Sequence, residues 1–197
     1  RTEERNNWKV VLEYEGQGDG PWLIDLSHRT RWDLQDQEID NTQPWGLKVP
    51  ETPGRCTYEN GALINRMNLT QASIWQLAGE SPDPPDDVAY TEVTDATVFL
   101  ALVGKNLAPL IEKLTSLDFF NPGIEPPFLL QGPLSHVPCQ SVMLERSMDR
   151  CSLLFTCSRG YARDMVHAVL DAGAEFNLKP AGENAFNSWI SGMAVSN

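Results

Sequence analysis

Asp25, Leu26, Ser27 and His28 place an acid, a hydroxyl and an imidazole within four positions. A nucleophilic triad needs these groups to converge in space, with the acid on the imidazole and the imidazole on the hydroxyl. Sequence neighbours do not do this on an extended chain, where Asp25 and Ser27 face one way and His28 the other. The stretch reads as a strand end. His136 lies in a Gly/Pro-rich segment and reads as a loop residue that could line a cleft. His167 stands near Asp164 and Asp171 at helical spacing, as a solvent-facing pair would. Gly16-Gln17-Gly18-Asp19-Gly20 lacks the spacing and the following helix of a phosphate-binding loop, so it reads as a turn. Cys56, Cys139, Cys151 and Cys157 include no Cys-x-x-Cys pair and no histidine at ligand spacing, so no metal site is predicted. The last three lie in apolar stretches, as small core residues do. Spacing alone names no catalytic centre.

The elements that would position these residues differ between two stretches, 1–87 and 88–197. In the first, Trp8, Val10, Leu12 and Tyr14 alternate as on a strand. A second strand is predicted from Trp22 to about Leu34, a loop over 36–53, and short strands over 63–69 and 73–77, the latter alternatively a helical turn. Gly79 to Asp87, with its prolines and acids, reads as a surface linker. In the second stretch, 90–94 reads as a strand. Thr97 to Val103 is continuously apolar, as in a strand covered on both faces. Leu107, Leu110, Ile111 and Leu114 mark a helix over 105–116, with Asn106 as N-cap and Pro109 in its first turn. Residues 121–138 read as a long loop with one short strand. Gln140–Arg146 and Cys151–Cys157 form a predicted hairpin. Ser158 is placed to cap a helix over 159–172 that stops at an αL Gly173. The tail from Asn177 is mixed, with Phe186, Trp189 and Ile190 as docking anchors. The order strand, strand, helix, strand, strand, helix implies an α+β fold with small antiparallel or mixed sheets and helices packed on them, the two stretches together forming one compact domain.

The net charge of −12 would repel phosphate backbones and anionic lipid, which argues against a nucleic-acid partner. No apolar run approaches the length of a membrane span and no signal peptide is read, so a cytoplasmic protein is expected. A chain that begins with Arg leaves a removed leader open. Asn68-Leu69-Thr70 fits a glycosylation sequon, a short motif that arises by chance. Six tryptophans suit either a core or an interface.

A set of blocks in fixed order carries a resemblance. They are Glu92-Val93-Thr94-Asp95, Phe99 to Gly104, the helix with Leu110 and Leu114, Leu117-Asp118-Phe119, Val137-Pro138-Cys139, Cys157 to Ala162 and Leu170 to Leu178. Together they resemble the gamma subunit of heterotetrameric sarcosine oxidase. More distantly they are similar to the folate-binding domain of aminomethyltransferase, the T-protein of glycine cleavage. Leu47 to Gly54 and Ile24 to His28 add weaker likenesses. The resemblance implies two related α+β halves and a place in a complex whose larger flavoprotein subunits hold flavin and NAD.

The departures decide what activity the resemblance implies. Aminomethyltransferases carry Gly-Gly-Ile-x-Asp-Asp, where Gly61-Ala62-Leu63-Ile64-Asn65-Arg66 stands here. An amide and a guanidinium cannot take up a proton near neutral pH. The late hairpin Arg146-Ser147-Met148-Asp149-Arg150 lacks the family's pterin-recognising glutamate. The resemblance therefore implies a non-catalytic accessory subunit of an amine-demethylating, folate-linked oxidoreductase. It leaves two alternatives. One is a compact tetrahydrofolate-dependent aminomethyltransferase, with Asp25, His28 or Asp95 as folate-site candidates. The other is a stand-alone regulatory or assembly factor.

Overall fold

The computed structural model describes residues 1–83, 85 and 87–193. In chain order the strands are β1 (Thr2–Arg5), β2 (Trp8–Val11), β3 (Trp22–Asp25), β4 (Arg31–Gln35), β5 (Cys56–Glu59), β6 (Ala62–Arg66), β7 (Gln71–Gln76), β8 (Tyr90–Glu92) and β9 (Thr97–Gly104). Helix α1 (Ala108–Leu114) is followed by β10 (Phe128–Leu134), β11 (Val137–Arg146), β12 (Cys151–Ser158), α2 (Ala162–Gly173), β13 (Lys179–Ala181) and α3 (Glu183–Ser191). A β1–β2 hairpin stands beside two larger sheets, ordered β10-β11-β12-β9-β3-β13 and β5-β6-β7-β4-β8. Among the described strands, only β13 with β3 is parallel. The fold is α+β, with small antiparallel and mixed sheets and few helices. Each sheet takes one strand from across residue 87: β3 joins the six-stranded sheet and β8 the five-stranded one.

The layers follow from strand periodicity. On β9, Val98, Leu100 and Leu102 face α1 and α2, while Phe99, Ala101 and Val103 face the other sheet. A strand covered on both faces must be apolar throughout, which is why its sequence shows no alternation. Trp75 of β7 meets Phe99 between the sheets, with ring centroids 5.1 Å apart. The outer face of the five-stranded sheet, including Trp32, Leu34, Ile64 and Ile74, is covered by the 36–53 segment through Ile39, Leu47 and Val49. Trp32 and Trp75 belong to the core; Trp8, Trp22, Trp45 and Trp189 are half-buried.

Several predicted elements are corrected. The strand expected over Trp22–Leu34 is two strands in different sheets, broken by a turn at 26–30. The expected loop 121–138 holds β10, a seven-residue edge strand that turns into β11 through Ser135 and His136, both at positive φ. The polar start is a β1–β2 hairpin turning at Asn6 and Asn7, also at positive φ, as a two-residue hairpin turn requires. Of the two readings of 73–77, the strand holds: residues 73–76 belong to β7. Asn106 does not cap α1 and sits at φ 52; Pro109 does lie in the first turn. Ser158 makes no side-chain cap, because a short 3-10 turn over Arg159–Tyr161 precedes α2. Gly173 is right-handed, and the αL residue is Asn177. Gly173 is required instead by packing, since a Cβ there would lie 2.4 Å from Leu178 Cδ2. The described part of the mixed tail holds β13 and α3, and Phe186 and Ile190 of α3 are buried in the core between the sheets. The expected linker 79–87 lies in part outside the described residues. No helix among the described residues is long and apolar enough to cross a membrane.

Candidate functional site

A cleft of about 640 Å³ opens where α3, the β1–β2 turn, the 26–30 turn and the end of β7 meet. Its position depends on α3 approaching the N-terminal segment very closely. Gly182 makes this possible, because a Cβ there would stand 2.2 Å from the Leu12 carbonyl carbon. Glu183 follows as the first residue of α3, where a carboxylate complements the positive end of the helix.

Glu183 is almost fully buried and gathers three cationic or polar partners from distant segments. His28 Nε2 lies 2.8 Å from Oε1, and Arg29 NH2 donates to the same oxygen at 2.8 Å. Arg5 NH1 donates to Oε2 at 3.0 Å and to Oε1 at 3.2 Å. A carboxylate only accepts, so His28 Nε2 carries the proton of that bond. Burial alone would raise the Glu183 pKa. The His28 hydrogen bond and the charges of Arg29, His28 and Arg5 outweigh it and hold the carboxyl at about 2. Arg29 is itself fixed on three sides. It donates to the Leu77 carbonyl and, at 2.6 Å, to Asn187 Oδ1, and its guanidinium stands 5.1 Å from the centroid of the Phe186 ring. Burial lowers its pKa against the pull of Glu183. A carboxylate this occupied neither gives nor takes a proton near neutrality. Its chemistry is that of a tie between three chain segments.

A narrower cleft of about 160 Å³ lies between the two sheets, lined in part by Arg31, Asp33, Ser73, Gln140 and Thr156. Arg31 is fully buried and donates to four carbonyls: Ser27 at 3.2 Å, Arg29 at 2.6 Å, Thr94 at 2.7 Å and Thr97 at 3.0 Å. Burial lowers its pKa to about 10. On the inner face of the same sheet, Asn65 Nδ2 donates to Ser73 Oγ at 3.3 Å. Asn65 Oδ1 is buried without a partner. Arg66, next in sequence, is buried and binds Asp40 at 2.8 Å and the carbonyls of Asn68 and Leu69 at 2.5 and 2.7 Å. Both residues are tied into the framework of the five-stranded sheet.

The residues singled out in sequence do not converge. His28 lines the larger cleft. Asp25 is exposed and accepts the Ser27 N–H at 2.9 Å, while Ser27 Oγ accepts the Phe99 N–H at 3.0 Å. Asp95 is exposed and pairs with Arg159 at 3.2 Å. Asp25 and Asp95 share only their electrostatic pull on Arg31. His136 sits in the β10–β11 turn, and His167 is exposed on α2. Among the described residues, no group of three or more His, Cys, Asp or Glu is placed to hold a metal ion.

Sequence reasoning missed Glu183, Arg29 and Glu145. Glu183 carried one local signal, an acid directly after a glycine at a helix start. Glu145 follows a bulge in β11, and a bulge re-aims the side chains beyond it. It accepts Arg150 at 2.8 and 3.0 Å and the Trp189 indole at 2.8 Å, joining the late hairpin to α3.

No protein-family model matches the chain. No curated protein matches it. Its architecture, two packed sheets with helices on the larger, does have solved counterparts. One is a chain of heterotetrameric sarcosine oxidase from Corynebacterium sp. U-96, determined in complex with pyrrole 2-carboxylate. The likeness has a TM-score of 0.60 and covers 78% of this chain and 84% of that one, at 15% identity. The chain therefore has the α+β fold of a sarcosine oxidase chain, as the ordered sequence blocks led one to expect.

Proposed function

We propose that this chain is a non-catalytic, gamma-like accessory subunit of a sarcosine-oxidase-type or related amine-demethylating, folate-linked oxidoreductase. Larger flavoprotein subunits would hold flavin and NAD, and this chain would cover part of their surface. The observation that carries the reading is a fold shared over most of two chains of similar length, one of them from a heterotetramer. The residues standing where folate-handling acids would be expected support it. Asn65 and Arg66 are buried and hydrogen-bonded into the sheet, with no carboxylate offered to a ligand. Glu145, which flanks the late hairpin, is already taken by Arg150 and Trp189.

The test is purification from the native host through a tag on this chain. The expected result is a stoichiometric complex showing flavin absorbance. Recovery only as a free, colourless monomer would overturn the subunit reading. Micromolar binding of tetrahydrofolate by the isolated chain, measured by calorimetry, would instead favour a folate-dependent enzyme.

A further inference from the structure

A second cleft, of about 560 Å³, lies on the far side of the five-stranded sheet, with residues 41–45 on one side and Asp83, Pro85, Asp87 and Tyr90 on the other. Its walls are unlike those of the Glu183 cleft. Trp45 and Tyr90 stand edge to face, with centroids 6.2 Å apart and planes at 60°. The two rings form a corner. Trp32, fully buried, supports Trp45 from within at 4.8 Å. The Trp45 indole is pinned, because its Nε1 donates to the Asp83 carbonyl at 3.0 Å. Its backbone sits at φ 49, ψ 34, a left-handed conformation that is unfavourable for a bulky residue. Strain of this kind persists where the surroundings over-determine it, and it clusters at ligand sites.

The rim is acidic. Asp83 and Asp87 line the groove, and both are exposed. Burial, then the charges of Asp87 and Asp36, raises the Tyr90 pKa, so of the two rim acids Asp87 is the one felt by this ring. No lysine or arginine is among the described residues lining the groove.

Aromatic faces attract a cation through the ring quadrupole, by about 0.5–1 kcal/mol at exposed sites and about 2 kcal/mol when the cation is desolvated. Nearby carboxylates add a screened Coulomb attraction. A compact, strongly hydrated ion gains little from such walls. An alkylated ammonium, whose charge is spread over methyl groups, gains from rings and acids together. From this geometry we propose that the Trp45–Tyr90 groove binds a small alkylated ammonium ion, with Asp83 and Asp87 supplying the counter-charge.

The test uses the full chain, labelled with ¹⁵N, and follows the indole N–H signals. The Trp45 signal is identified by its loss in Trp45→Phe. Choline is titrated against 3,3-dimethylbutan-1-ol, its uncharged carbon isostere, at constant ionic strength. The expected result is a saturable shift of the Trp45 signal with choline at millimolar concentration, and none with the alcohol. Asp83→Asn with Asp87→Asn should weaken choline binding about five-fold, as two exposed charge pairs would. These variants keep the Asp83 carbonyl that holds Trp45, and an acceptor for the Ala89 N–H that Asp87 binds at 2.9 Å. Equal shifts with the alcohol, shifts reproduced by sodium chloride, or no saturable shift at all would each overturn the proposal.

Discussion

The Glu183 cleft and the Trp45 groove differ in what the protein has done with their charges. In the Glu183 cleft, every partner of the carboxylate comes from the chain itself, and the group is sealed by His28, Arg29 and Arg5. In the Trp45 groove, the carboxylates of Asp83 and Asp87 stand at the rim with no cation among the described lining residues. The first arrangement stabilises the fold and leaves nothing to offer a ligand. The second adds little to stability and leaves its charge available. A large cavity with many polar groups is thus a poor guide to binding unless their bonding is counted.

Substitutions sharpen this contrast. The largest effect is expected for Glu183→Ala, which leaves Arg29 buried without its carboxylate and removes the partner of His28. Removing one member of a buried ion pair costs about 3–5 kcal/mol, and urea unfolding would register it. The wild-type protein should show a matching pH dependence. The folded carboxyl titrates at about 2 and its ordinary value is 4.5. Its contribution is therefore fully present above about pH 4.5 and is lost as pH falls toward 2, amounting to up to about 3 kcal/mol. Glu183→Gln should lack that acid limb. An unchanged limb in the variant would show that the tie is not ionic.

Intermediate effects separate the two arginines. Arg29→Met keeps the apolar stem over Phe186 but loses the bonds to Leu77, Glu183 and Asn187, for an expected loss of about 2–3 kcal/mol. Arg5 has 40% of its side chain exposed, so Arg5→Ala should cost under about 1 kcal/mol and less at high salt. If the two losses were equal, burial would not be what distinguishes them. The smallest effect belongs to the other cleft. Asp83→Asn with Asp87→Asn should change stability by less than about 0.5 kcal/mol, because both acids are exposed and neither is in an ion pair among the described residues. A thermal scan that found a large loss would erase the distinction drawn between the two sites.

Much of the larger sheet was legible because local pattern and burial agree there. The apolar run of β9 and the hairpin of β11 and β12 are examples. The break between β3 and β4 was hidden for a physical reason. Residues 26–30 contain neither glycine nor proline, and Leu26 is as buried as a strand residue. The turn is held by Arg31, whose guanidinium takes the carbonyls of Ser27 and Arg29 while reaching Thr94 and Thr97. A turn held by long-range bonds leaves no local signal. Strand β10 was masked by Gly132 and Pro133, which an edge strand tolerates. Of the candidate site, His28 was noticed but for the wrong company. Its partner Glu183 is 155 positions away, and nothing near His28 points to it.

The exchange of β3 and β8 between the sheets has a consequence for how this polypeptide can be divided. Severing the backbone after Gly79 would not release two independent bodies. The N-terminal piece would still supply β3 to the larger sheet, and the C-terminal piece would supply β8 to the smaller one. Arg29 and Glu183 would remain clasped across the cut. The nicked product should migrate as a single particle until denaturant is added, and neither fragment should be soluble when expressed without the other.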